Sequence, residues 1–138
     1  MVENNYAATL VERLFRTVMA IAARFDLELL QYDAVNAFVN AALDKEVYIR
    51  MPPSHRKPRT VLKLTKALYG LRRSPLLWQR TLSQALRKLR FKPVPHEPYA
   101  FAYKGILIFF YVDDIMVAFR STQRPEALET MRQLGARY

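Results

Sequence analysis

The sequence contains no cysteine. That excludes a disulfide framework, a zinc-thiolate site and a thiol nucleophile, and it suits a reducing compartment. It has no run of about 18 apolar residues, because Asp113 and Asp114 interrupt the longest candidate, and no secretory signal pattern. A soluble protein without membrane contact is expected. No internal repeat or low-complexity segment occurs. Glycine is scarce, with three in the chain, so each marks a backbone position of interest. The most telling absence is of acid. Residues 47–96 hold no Asp or Glu but thirteen Lys and Arg, within a net charge of +10. A field of one sign attracts polyanions, of which nucleic acid is the commonest, and a basic surface kept for solubility is the plainer alternative.

What is present suffices for one domain with a single core: 138 residues, 51% hydrophobic and 25% charged. Residues 6–25 carry Leu10, Leu14, Val18, Ile21 and Phe25 at helical spacing, with Val11, Phe15, Met19 and Ala22 widening the stripe, predicting an amphipathic helix with that stripe in the core. Residues 27–35 alternate as a strand whose last residues include Asp33, and residues 47–49 predict a second short strand. Pro52, Pro53 and Pro58 make residues 51–60 a surface loop, and residues 61–64 return to extended structure. Gly70 suggests unusual φ, and Ser74-Pro75 reads as N-cap and first residue of a helix running to about residue 91. That helix is expected to bury Trp78, Leu82, Ala85, Leu86 and Leu89, with Pro93 and Pro95 stopping it. A last helix from Pro125 uses Leu128, Met131 and Leu134. His55 and His96 lie in proline-rich loops without a ligand pattern. The order is α+β, a small antiparallel sheet backed by helices.

Two apolar runs, residues 106–110 and 115–119, flank Tyr111-Val112-Asp113-Asp114 and predict a β-hairpin with both acids at its turn. Adjacent carboxylates repel unless something positive neutralises them. An Asp-Asp turn by itself is most simply a solvated turn. If Asp33 ends a central strand beside this hairpin, however, three carboxylates converge at one sheet edge. Hard divalent cations would then take their oxygens as ligands, and two such ions suit in-line displacement at phosphorus.

Four segments in order, Gln31-Tyr32-Asp33-Ala34-Val35-Asn36-Ala37-Phe38, Glu46-Val47-Tyr48-Ile49-Arg50-Met51-Pro52-Pro53, Ala67-Leu68-Tyr69-Gly70-Leu71-Arg72-Arg73-Ser74-Pro75-Leu76-Leu77-Trp78 and Tyr111-Val112-Asp113-Asp114, resemble the successive motifs of copia-type retrotransposon reverse transcriptases. The resemblance implies an RNA-directed DNA polymerase palm. Asp33, Asp113 and Asp114 would be its catalytic and metal-binding carboxylates, Asp33 and Asp113 as the main ligands and Asp114 supporting, with two magnesium ions expected and manganese as an alternative. It places Phe38, Ala34, Gly70 and Tyr111 at the incoming nucleotide, Phe38 as the aromatic under the sugar unless it is a plain core residue. It sets Arg72, Arg73 and Ser74 along the template, where the basic Lys63, Lys66 and Arg80 would join them as nucleic-acid contacts.

The partners so implied are an RNA or DNA template with its primer, deoxynucleoside triphosphates, and the remainder of a polyprotein with integrase and ribonuclease H. The expected location is cytoplasmic, in a virus-like particle, or nuclear. Departures occur at Ser54-His55, where Gly-Phe is usual, and at Ala41-Ala42. Against the family pattern, residues 1–138 read as a partial domain, palm with part of the fingers, lacking the N-terminal fingers segment, the thumb and ribonuclease H. The fragment alone is expected to be inactive. The alternatives are a nucleic-acid-binding remnant without catalysis, and an unrelated basic scaffold with an incidental acidic turn.

Overall fold

A computed structural model of the chain describes residues 12–34, 37–111 and 113–135. Helix α1 (Glu12–Arg24) leads into strand β1 (Glu28–Asp33), a 3-10 turn (Ala37–Asn40) and strand β2 (Tyr48–Ile49). Strand β3 (Leu62–Lys63), helix α2 (Ser74–Lys88) and strands β4 (Lys92–Val94), β5 (Glu97–Tyr103), β6 (Ile106–Tyr111) and β7 (Asp114–Phe119) follow. Helix α3 (Arg124–Gly135) comes last. Five strands form one sheet in the order β1-β7-β6-β5-β4, with every neighbouring pair antiparallel, while β2 and β3 pair separately. The class is α+β, an antiparallel sheet packed on helices.

The sheet is covered on both faces. Phe101, Ile108, Phe110, Ile115, Val117 and Phe119 meet Trp78, Leu82 and Leu86 of α2 and Ala127, Met131 and Leu134 of α3. On the other face, Ala100 and Phe109 meet Val18 of α1, with Leu14, Met19, Leu107 and Met116 around them. Two buried faces explain why residues 106–110 are apolar without alternation. Lys104 (φ 47°) and Gly105 (φ 81°) form the turn from β5 to β6, where left-handed backbone suits a tight hairpin.

Several expectations need correction. On α1 the buried positions are Val18 and Ala22, whereas Phe15, Ile21 and Phe25 are exposed. Val18 belongs to the expected stripe and Ala22 to its widening, so the buried face is narrower than expected and excludes Phe15, Ile21 and Phe25. Its expected start, with Leu10 and Val11, and Val35, Asn36 and Val112 lie outside the described residues. Strand β1 is an edge of the sheet, not a central strand. Lys92-Pro93-Val94 does more than stop α2: it forms the opposite edge strand, the place where proline costs a sheet least. The 51–60 loop contains one 3-10 turn (Pro53–His55). In α3, Ala127 is buried and Leu128 exposed, so the expected Leu128 anchor is replaced by its neighbour. Among the described residues no helix is long and apolar enough to cross a membrane.

Candidate active site

Strands β1 and β7 bring Asp33 and Asp114 directly opposite each other at one end of the sheet. The expectation of two acids at the hairpin turn is corrected here. Tyr111 pairs with Asp114 in the ladder, so Asp114 belongs to β7 and only Asp113 lies in the turn. Like charges opposed across a ladder are unfavourable. The Asp33 carboxyl is accordingly held above the usual carboxylate range, first by a hydrogen bond with the Asp114 side chain, then by desolvation, then by the charges of Asp114 and Asp113. Gln31 Nε2 donates to Asp114 Oδ1 at 3.2 Å.

Asp113 is anchored differently. The Ala34 N–H donates to its carbonyl at 2.7 Å, and the Tyr69 hydroxyl donates to its Oδ1 at 3.1 Å. The Tyr69 ring lies on Phe38, with centroids 4.5 Å apart. Burial raises the Tyr69 hydroxyl above its ordinary range. The hydrogen bond to Asp113 and that carboxylate's charge act in the same sense, and the Ala37 backbone opposes them. Phe38 is buried in the main core, with the Tyr69 ring against it. Gly70 adopts φ 94°, and a Cβ there would meet nothing within 4 Å, so glycine serves the backbone conformation rather than a tight fit. Tyr111 is 45% exposed beside the pair.

The expected nucleic-acid contacts divide. Lys66, Arg72 and Arg80 are exposed. Lys63 is paired with Glu46 at 2.6 Å. Arg73 grips Asp44 with both Nε, at 3.1 Å, and a terminal nitrogen, which commits its fork to the protein. Ser74 is fully buried and donates through Oγ to the Leu68 carbonyl at 2.5 Å. It neither caps α2 nor reaches a strand; Arg73 is the N-cap, without a side-chain cap bond.

The Arg73 pair lowers the Asp44 carboxyl below its ordinary range, chiefly through the hydrogen bond, against a smaller desolvation cost. A depressed folded-state value means a stabilising contribution that is present above the unfolded value and lost as pH falls through the folded one. Asp44→Asn is therefore expected to cost about 1 kcal/mol or less at pH 7, given how open the pair is. The difference from wild type should shrink below pH 3.8 in urea titrations run across pH.

Metal fit follows from the donor set. Asp33 and Asp114 present facing hard oxygens whose repulsion a divalent cation would relieve, and Asp113 stands beside them. Among the described residues no three acid or imidazole side chains are already gathered around one point.

The family model of reverse transcriptase (RNA-dependent DNA polymerase) matches residues 4–134. The chain belongs to this family. Among its relatives, the Retrovirus-related Pol polyprotein from transposon TNT 1-94 of Nicotiana tabacum is 29% identical over 110 residues, covering 74% of this chain and 8% of the relative. A transposon Ty5-1 protein of Saccharomyces cerevisiae is 32% identical over 119 residues, 75% of this chain and 38% of the relative. The Retrovirus-related Pol polyprotein from transposon RE2 of Arabidopsis thaliana is 31% identical over 114 residues, 78% of this chain and 8% of the relative. This is a copia-type reverse transcriptase sequence that spans well under half the length of each of these relatives. No solved structure matches it significantly.

Within this reverse transcriptase segment, sequence reasoning assigned no role to Tyr69, Gln31 or Asp44. An aromatic directly before a positive-φ glycine was the one signal available for Tyr69. Nothing local marks the other two, because their partners lie 83 and 29 residues away.

Proposed function

We propose that this chain forms the palm, with part of the fingers, of a copia-type RNA-directed DNA polymerase. It would act within a longer Pol polyprotein, alongside integrase and ribonuclease H, and add deoxynucleotides to a primer 3′ end on an RNA or DNA template. The observation that carries this reading is the Asp33–Asp114 pair with Asp113 beside it, at one end of the sheet, in a chain of this family. Divalent cations, magnesium or manganese, held by Asp33, Asp113 and Asp114 would supply the Lewis acidity for nucleotidyl transfer.

The chain's own groups do the positioning. Asp33 and Asp114 stand on paired strands of a sheet buried on both faces, so their separation is set by the ladder rather than by side-chain freedom. Asp113 is tied to β1 through the Ala34 N–H. Tyr111, half exposed beside the pair, faces the primer end in this reading. Gly70 leaves the tip of its loop bare for close approach by a nucleotide or template backbone. Lys66, Arg72 and Arg80 offer exposed cations to phosphates.

A polyprotein carrying this segment is expected to extend a DNA primer on an RNA template in the presence of magnesium. Its affinity for primer-template should fall with salt at a log-log slope of about −1 per neutralised phosphate. Binding without nucleotide addition would identify a non-catalytic remnant, and binding indifferent to salt would remove the basic surface from the reading.

A further inference from the structure

At the end of the sheet away from the acids, three segments enclose a cleft of about 460 Å³. Phe25 and Leu27 come from the link between α1 and β1, Lys104 and Gly105 from the turn between β5 and β6, and Arg120 and Gln123 from the start and end of the 3-10 turn before α3. Glu28 pairs with Phe119 at this end of the ladder and Asp33 with Asp114 at the other, which sets the two ends about 17 Å apart at about 3.4 Å per residue. The walls are pinned. Gln123 Nε2 donates to the Lys104 carbonyl at 2.5 Å, and Gly105 lets that amide seat, since a Cβ there would meet it at 3.2 Å.

The lining sets an aromatic ring beside cations that no carboxylate neutralises. Phe25 is 59% exposed, with the Arg24 guanidinium 5.6 Å from its centroid. Lys104 and Arg120 are exposed, and among the described residues neither is paired with an acid. Glu28, near in sequence, is taken by Arg124, and among the described residues no acid lines the cleft. Behind Lys104, the Tyr103 hydroxyl is held below its ordinary range chiefly by a hydrogen bond from Arg90, with Lys104 acting in the same sense against desolvation, so a further cation extends this end of the sheet. A ring with cations around it suits a nucleobase and its phosphates. A duplex hides the faces of its bases in the stack, so only an unpaired base can use Phe25. The cations outnumber what one phosphate needs, which favours a strand over a free nucleotide. We infer that this cleft holds one base of a single-stranded nucleic acid against Phe25, with the flanking phosphates on Lys104 and Arg120. The site takes nucleic acid as its polyanion from the function proposed above, and it is independent of the three acids.

Fluorescence anisotropy of a labelled oligothymidylate titrated with the full chain tests this without relying on activity. Phe25→Ala is expected to weaken binding about tenfold, the scale of one lost base stack, and to leave the salt dependence unchanged. Phe25→Tyr should keep the wild-type affinity. Lys104→Gln combined with Arg120→Gln is expected to flatten the log-log salt slope by about 1.4, two phosphates at about 0.7 each. All three positions are exposed, and far-UV circular dichroism checks that the variants fold. If wild type binds the strand and these substitutions change nothing, the cleft is removed while the polymerase reading stands, because Lys66, Arg72 and Arg80 lie on other elements. If wild type binds no strand at all, the nucleic-acid reading falls and the cleft with it. Competition by thymidine monophosphate as effective as by the strand would make the occupant a free nucleotide, and equal competition by polyglutamate would make it an acidic protein; either overturns the inference.

Discussion

The Asp113→Asn variant of the polyprotein carrying this segment is expected to lose primer extension by about 1,000-fold or more while keeping its affinity for primer-template. The size follows from removing one hard anionic oxygen from a centre that stabilises transition-state charge by several kcal/mol, where each 1.36 kcal/mol is a factor of ten. The substitution is nearly isosteric. The Asp113 carbonyl still accepts from Ala34, and an asparagine Oδ1 still accepts from Tyr69, so the hairpin has no reason to move. The basic groups that meet phosphate, Lys66, Arg72 and Arg80, come from other elements. Single-turnover extension beside a binding titration separates the two effects. Extension retained within tenfold would take Asp113 out of the chemistry, and lost binding would make it a template contact.

A second large effect is expected in stability. Trp78 is the single tryptophan of the chain, 2% exposed on α2 and packed into the main core. It also walls a small cavity of about 100 Å³ whose lining includes Leu82, Ile115, Met131, Leu134 and Asp33. Trp78→Ala would enlarge an existing gap rather than open a new one, so neighbouring side chains have little room to collapse inward. A cost of about 3–5 kcal/mol is expected, a large share of the roughly 5–15 kcal/mol that holds a domain of this kind together. Urea unfolding followed by far-UV circular dichroism measures it, since the variant loses its indole fluorescence. Leu128→Ala is the matching control. It lies at a position of helical periodicity but is 41% exposed, and a change within about 0.5 kcal/mol is expected there. A large cost at Leu128 and a small one at Trp78 would mean that α3 and α2 pack the other way round.

Much of this was legible in the chain because it is local. The two apolar runs around Tyr111 formed a hairpin, Gly70 took the left-handed backbone its isolation suggested, and Trp78, Leu82, Ala85 and Leu86 became the buried face of α2. Other readings were misled by the same local rules. Ser74-Pro75 has the form of a helix cap, but α2 takes Ser74 in as its first residue behind Arg73, and the serine hydroxyl donates to the Leu68 carbonyl. The stripe on α1 follows helical spacing and is wider than the face that is buried. The sheet face it meets is lined by Phe109 and Leu107 and takes Val18, with Leu14 and Met19 beside it, while Ile21 and Phe25 stay exposed. Two of the basic residues read as nucleic-acid contacts, Lys63 and Arg73, are neutralised by Glu46 and Asp44, acids that lie just outside the acid-free stretch.

By itself the sequence determined the family, through four ordered motifs, and the placement of carboxylates at the ends of apolar strands, because strand length and turn position are written in short-range pattern. Tertiary structure alone decided which carboxylates meet. A register shift of one residue would send Asp33 to the other face. The ladder between β1 and β7 sets it opposite Asp114, while the loop before α2 brings the Tyr69 hydroxyl across 44 residues to Asp113. Such pairings are chosen by how a whole sheet and its helices pack, which no window of neighbouring residues contains.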